Sequence, residues 1–156
     1  MGMENWTLEH VGLSVKNMDD AVRYFQSLGG KTDERPPFIL DSANIKSITT
    51  YGRTDAPTLK IKIKMLNIGP LTLELTEPVS GGNYNETWMK EHGEGANHIS
   101  FIVPELDKEV EELKAKGVPA MYHASGVYAY MDARKVGGLV IELKQKRDRP
   151  PGPPRA

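Results

Sequence analysis

The chain of 156 residues has no cysteine, so it can form neither a disulfide nor a thiolate metal site. Any metal it holds must be ligated by histidine and carboxylate. The lack of thiols fits a reducing compartment, and the expected location is the cytoplasm. No apolar run approaches the roughly 20 residues that cross a bilayer, so no membrane span is expected. The start, Met1-Gly2-Met3-Glu4-Asn5-Trp6, lacks the basic stretch and apolar core of a signal peptide. It also lacks the hydroxyl residue at position 6 that N-terminal myristoylation wants. Charge of one sign is missing too. Twenty Lys and Arg against 21 Asp and Glu leave a net charge of −1, which argues against nucleic acid or an anionic membrane as the partner. The length suits one compact domain with a real core.

What the chain does contain is a repeat. Leu8-Glu9-His10-Val11-Gly12-Leu13-Ser14-Val15 returns 88 residues on (10 to 98) as Ala96-Asn97-His98-Ile99-Ser100-Phe101-Ile102-Val103. Each copy puts a histidine at the head of an alternating run, followed by Asp19 or Asp107, an amphipathic stretch, and Gly29 or Gly117. The matches fall on a metal-ligand type, a core position, a helix start and a helix stop, the pattern of a duplicated unit. The unit ends repeat as well. Leu71-Thr72-Leu73-Glu74-Leu75 is echoed by Leu139-Val140-Ile141-Glu142-Leu143.

Residues 7–15 predict a strand with Val11, Leu13 and Val15 on one face and His10, Gly12 and Ser14 on the other. Asn17 is the expected N-cap of the helix that follows, with Met18, Val22 and Phe25 as its buried stripe and Gly29-Gly30 as its end. Residues 34–43, with Pro36-Pro37, read as a loop, and Asn44–Tyr51 as a strand. Leu59–Met65 alternates strictly, a strand with one wet or electrostatically paired face; its row of Lys60, Lys62 and Lys64 is most simply solvated, with the holding of an acidic substrate as the lesser reading. Residues 86–91 predict a short helix, and residues 105–116 a helix burying Leu106, Val110 and Leu113. The segment 147–156 has four prolines and is expected to be disordered. The fold expected for residues 1–146 is α+β. Two βαβββ modules, about 7–76 and 97–146, pair their mixed or antiparallel sheets into a cup, with helices covering the apolar face.

On all four repeated strands the His or Glu points away from the apolar set. His10, Glu74, His98 and Glu142 are thereby left on the concave face. A carboxylate buried there needs a partner. One divalent cation (Co, Zn, Ni, Mn or Fe) answers that need, because imidazole and carboxylate are its natural ligands. Two histidines and two carboxylates leave the ion neutral overall and open to a bidentate substrate, which suits polarising a carbonyl and holding an enolate. His92, His123, Tyr128 and Tyr130 carry smaller expectations: a turn histidine, a histidine without a repeat partner, and an aromatic pair near Glu142 that either packs or lines the cavity.

The βαβββ repeat with this His/Glu pair in each half resembles the vicinal oxygen chelate superfamily, which includes glyoxalase I, methylmalonyl-CoA epimerase, extradiol dioxygenases and the bleomycin- and fosfomycin-resistance proteins. Within it, Glu91-His92-Gly93-Glu94-Gly95 running into Asn97-His98-Ile99, and the ending Gly138-Leu139-Val140-Ile141-Glu142-Leu143, are most similar to methylmalonyl-CoA epimerases. The resemblance implies an isomerase that moves a proton α to a carbonyl in a small carbonyl or thioester substrate. It implies Glu142 and Glu74 as ligands that also act on the proton, and a homodimer. Two departures stand out. Glu74 replaces the epimerase's usual glutamine, as in glyoxalase I, and Ala43–Thr50 has no acid where the epimerase carries a base. That leaves Glu142, Glu74 or a group such as Lys46 to take the proton. The alternatives are a glyoxalase-type lyase, a ligand-sequestering resistance protein and, least favoured, an iron dioxygenase.

Overall fold

The computed structural model describes residues 3–55, 59–81 and 84–147; from residue 148 the proline-rich tail lies outside them. Module one opens with β1 (Thr7–Ser14) and α1 (Met18–Ser27). Val11, Leu13 and Val15 pack against Met18, Val22 and Phe25. The Asn17 side chain caps the helix by accepting from the Asp20 amide at 3.0 Å. Gly29, at φ 90°, ends it in a left-handed turn that a side chain would resist. Then come β2 (Phe38–Asp41), β3 (Ile48–Thr50), β4 (Lys60–Ile68) and β5 (Leu71–Ser80). A helix, α2 (Tyr84–His92), leads into module two: β6 (Gly95–Val103), α3 (Leu106–Ala115), β7 (Ala120–Ala124), β8 (Tyr128–Ala133) and β9 (Leu139–Gln145). Its core joins Leu106, Val110 and Leu113 of α3 to Val103, Ala129, Met131 and Leu143.

Among the described residues the strands form one nine-stranded sheet in the order β2-β4-β5-β1-β6-β9-β8-β7-β3. In each module the first and last strands run parallel, β1 with β5 and β6 with β9, and the modules join where β1 and β6 pair antiparallel. Leaving β3 aside, the second half of the sheet repeats the first in reverse. The architecture is therefore the expected α+β pair of βαβββ modules curled into a half-barrel, with α1 and α3 on its convex face.

Three local expectations change. Residues 38–41 are not loop: β2 pairs antiparallel with β4 directly after Pro36-Pro37, because a proline pair ahead of a strand costs the ladder no hydrogen bond. The strand expected over Asn44–Tyr51 shrinks to β3, preceded by a 3₁₀ turn over Ser42–Asn44. It pairs with β7 at the sheet edge opposite β2. Only the link from Asp41 to Ile48 separates the two strands, so at about 3.5 Å per residue the edges are drawn to within about 25 Å of each other. The lysine row is not simply solvated. Lys60, Lys62 and Lys64 pair with Asp41, Glu77 and Asp33 at 3.0, 2.8 and 2.9 Å, and Lys64 is buried. They share the convex face with Leu66, which packs on α1, while Ile61 and Ile63 face the concavity.

Candidate metal centre

The floor of the cup is the run β5-β1-β6-β9. Register sets Glu74 beside Gly12 and Glu142 beside Ser100, while Gly12 pairs with His98 and Ser100 with His10 across the module join. The two Nε2 atoms of His10 and His98 face each other at 3.3 Å. His10 Nε2 lies 3.2 Å from Glu142 Oε2 and 3.6 Å from Glu74 Oε2. His98 Nε2 lies 3.7 Å from Glu74 Oε1 and 3.9 Å from Glu142 Oε2. None of the four is more than 5% exposed. His10, His98 and Glu142 form a group with ligand atoms within 4.8 Å of one another, and Glu74 reaches the two imidazoles with different oxygens.

Gly12 makes this approach possible. A Cβ there would fall 1.8 Å from Cε1 of His98, inside the imidazole ring. Gly12→Ala is expected to keep its circular dichroism spectrum but to push His98 aside. Metal affinity, read by equilibrium dialysis, should drop roughly tenfold or more.

Two irregularities in the β1–β6 ladder, between Leu8 and His10 and between Gly12 and Leu13, add the outer contacts. In the first, Glu9 is the extra residue on β1; in the second, Asn97 is the extra residue on β6. Each bulge turns the residue before a histidine onto that histidine's face. Asn97 Oδ1 lies 2.6 Å from His98 Nδ1, while its Nδ2 donates to Asn85 Oδ1 at 2.9 Å and to Ser14. With its nitrogen so engaged, Oδ1 must accept from His98 Nδ1–H, which leaves the Nε2 lone pair facing the centre. On the other side Glu9 Oε2 is 3.3 Å from His10 Nδ1 but out of line for a hydrogen bond, so that buried nitrogen makes none. Glu9 is held instead by Lys144 at 2.9 Å and Ser100 at 3.2 Å.

Sequence reasoning missed Glu9, Asn97 and Lys144. Strict alternation places Glu9 and Asn97 on the helix face, and no local residue signals the bulges. Lys144 does follow from alternation with Glu142, two residues before it.

Charge is concentrated here. Burial works against an imidazolium at His10, but the carboxylates of Glu142, Glu9 and Glu74 outweigh it and push His10 up to about 9. Burial holds His98 down to about 4. Burial and the neighbouring Glu142 push Glu74 up to about 7. Glu142 is buried too, yet His10 and Lys144 hold its carboxyl below the usual range.

The residues fit a divalent cation. Glu142 Oε2 is buried and makes no hydrogen bond; His10 Nε2 at 3.2 Å and Lys144 Nζ at 3.8 Å balance its charge without using its lone pairs, which stay free to ligate a cation. Bonds of about 2.0–2.2 Å set neighbouring ligand atoms roughly 2.8–3.6 Å apart, the lower end for a six-coordinate ion with two positions open and the upper for a tetrahedral one, and the spacings here, 3.2 to 3.9 Å, lie at and just beyond the upper end. Glu74 and Glu142 also border a cavity of about 770 Å³, with Glu9, Lys144, Tyr128 and Tyr130 on its walls.

The remaining candidates stand apart from the centre. Lys46 is exposed and off the cavity wall. His92 stacks on Trp88 with ring centroids 5.0 Å apart. His123 bonds Asp107, at the start of α3, at 2.8 Å, so it ties β7 to the helix and does not line the cavity.

Residues 9–137 match the model of the Glyoxalase/Bleomycin resistance protein/Dioxygenase superfamily. The uncharacterized protein YqjC of Bacillus subtilis (strain 168) is 20% identical over 142 residues, 87% of this chain and 89% of that protein. Among solved structures, hypothetical protein BH1468 from Bacillus halodurans C-125 superposes with a TM-score of 0.68 at 23% identity, covering 96% of this chain and all of that one (100%). Methylmalonyl-CoA epimerase from Mycobacterium tuberculosis gives 0.66 at 18% identity over 94% of this chain and 93% of its own. A Streptomyces coelicolor methylmalonyl-CoA epimerase variant in complex with 2-nitronate-propionyl-CoA gives 0.64 at 16% identity over 92% and 96%. The match spans most of both modules, from the strand of His10 to the turn before Glu142, and the chain belongs to the glyoxalase/bleomycin resistance protein/dioxygenase superfamily.

Proposed function

We propose that this protein is a metal-dependent isomerase of the epimerase or racemase type, moving a proton α to the carbonyl of a small carbonyl or thioester substrate. The observation that carries the reading is Glu142 Oε2, buried, without a hydrogen bond, and 3.2 Å from His10 Nε2 at the edge of the cavity. His10, Glu74, His98 and Glu142 would hold the cation. When bound, it supplies Lewis acidity that polarises the substrate carbonyl and acidifies the adjacent C–H. The structural likeness to epimerases with bound CoA compounds supports the substrate class.

The chain's own residues then do the following. Asn97 fixes the His98 tautomer. The bulged Glu9, with Lys144, places a paired charge at the cavity wall. Glu142 accepts the α-proton on its carboxylate, which borders the cavity. The second strand of module one offers no base, since β2 turns Phe38 and Leu40 to the cavity and its Asp41 pairs with Lys60. Of the other carboxylates on the cavity, Glu9 is tied to Lys144, and Glu74 is the one within reach of both imidazoles. A glyoxalase-type lyase is the second reading, favoured by a glutamate at position 74. Hydrogen exchange in D₂O over α-acidic thioesters, ketones and a hemithioacetal, with each candidate metal added, separates the two. No exchange with any of them would remove both.

Metal uptake should depend on pH. Protons and metal compete for His10 and Glu74. Below about 7 both hold protons in the metal-free protein, and between about 7 and 9 only His10 does. Affinity should therefore rise with pH up to about 9. Calorimetry at pH 8 in two buffers should show roughly one proton released per metal; no release would place His10 outside the coordination. All four residues come from one chain, so the homodimer we expect joins two complete cups, which sedimentation would test, as fractionation would the cytoplasmic location.

A further inference from the structure

The cavity beside the centre has walls unlike its floor. From module one, Phe38 and Leu40 of β2 and Ile61 and Ile63 of β4 face inward. From module two come Tyr122 and Tyr128. Tyr122 is held in place by the Tyr84 amide, which donates to its hydroxyl at 2.9 Å. Both of these rings meet Tyr130 edge-on, at 5.9 and 6.0 Å between centroids, and Tyr130 in turn lies 5.1 Å from His98. A tyrosine wall therefore begins at the centre itself, with a wholly apolar wall opposite. β4 makes the point most plainly. It spends its lysines on the packed convex face, where each needs an acid partner, and turns isoleucines toward an open chamber. Ile61 is buried in the wall, but Ile63 beside it is only half-buried and Phe38 is exposed, and the apolar surface they still show leaves water only when something apolar fills the space. The volume, about 770 Å³, is that of sites which enclose a drug-sized molecule.

The geometry points to a substrate whose reacting carbonyl is carried on a ring or branched apolar body, with that body lying between the β2–β4 wall and the tyrosines. This rests on the metal-centre reading above and names the class of substrate for it. A substrate whose reacting end is small and polar throughout would leave both walls wet.

The test uses two chelators with the same metal-binding head, benzohydroxamate and acetohydroxamate, titrated calorimetrically into the full chain loaded with Zn or Co. Each affinity is divided by that for the free aqueous ion, which removes the intrinsic preference of the metal. Benzohydroxamate should then bind roughly tenfold or more tightly than acetohydroxamate, as burial of a phenyl ring predicts. In Phe38→Ser, an exposed wall position whose change leaves the core intact, that ratio should fall at least about threefold while acetohydroxamate binds as before. Ile63→Ser is the second variant and should do the same. A ratio near one in the parent, with acetohydroxamate bound, overturns the substrate class and leaves the centre standing. A protein that takes up no metal overturns both.

Discussion

His98→Ala is expected to fold and to lose its metal. The apolar clusters that hold the sheet to α1 and α3 lie on the convex side, so removing one imidazole from the concave floor leaves them untouched. It does take away one of four ligands and empties the space that Gly12 keeps open. Affinity should fall by more than the roughly 10–100-fold typical of losing an outer-shell contact. The parent, at a metal concentration about 100 times its dissociation constant, should gain about 2.7 kcal/mol. For a chain of this size that is a rise in Tm of about 5–10 °C. The variant should show almost none of that rise, and elemental analysis after dialysis should find it depleted. Full occupancy in His98→Ala would place the metal elsewhere.

Glu142→Gln should separate holding the metal from moving the proton. The amide oxygen can still coordinate, so the variant keeps metal, with weaker affinity, but it cannot accept a proton. Positioned acid–base groups contribute about 10²–10⁴-fold, and α-proton exchange in D₂O should fall by at least about a hundredfold. Exchange near the parent rate would make Glu142 a ligand only and shift the proton step to Glu74. Lys46 and His92 do not inherit it, since neither lines the cavity.

The centre was legible in the sequence to the depth that alternation reaches. His10, Glu74, His98 and Glu142 each stand opposite an apolar triplet, and a period of two then carries them to one face wherever the strand is regular. Alternation fails where a strand gains a residue. Glu9 and Asn97 are the extra residues of two bulges, and their partners lie across the module join, so nothing within either strand marks them. The lysines of β4 failed differently. Their period was right, but Ile61 and Ile63 line a cavity and Lys64 lies buried against Asp33, a reversal of inside and outside that only tertiary pairing reveals. β2 was hidden by Pro36-Pro37, whose turn signal stops one residue short of the strand.

The two bulges have a stereochemical consequence. A cup made of two identical halves would offer the same neighbours to both sides of a flat carbon resting on its floor. Here the residue before one histidine is a carboxylate tied to Lys144, and the residue before the other is an amide tied to Asn85 and Ser14. The two-fold axis of the backbone is thus not an axis of the chemistry. On the proposed reading, a planar reacting carbon held between the halves would have the charged Glu9–Lys144 pair toward one side and a neutral side-chain network behind the other, so the two faces an epimerase must protonate would meet unequal fields.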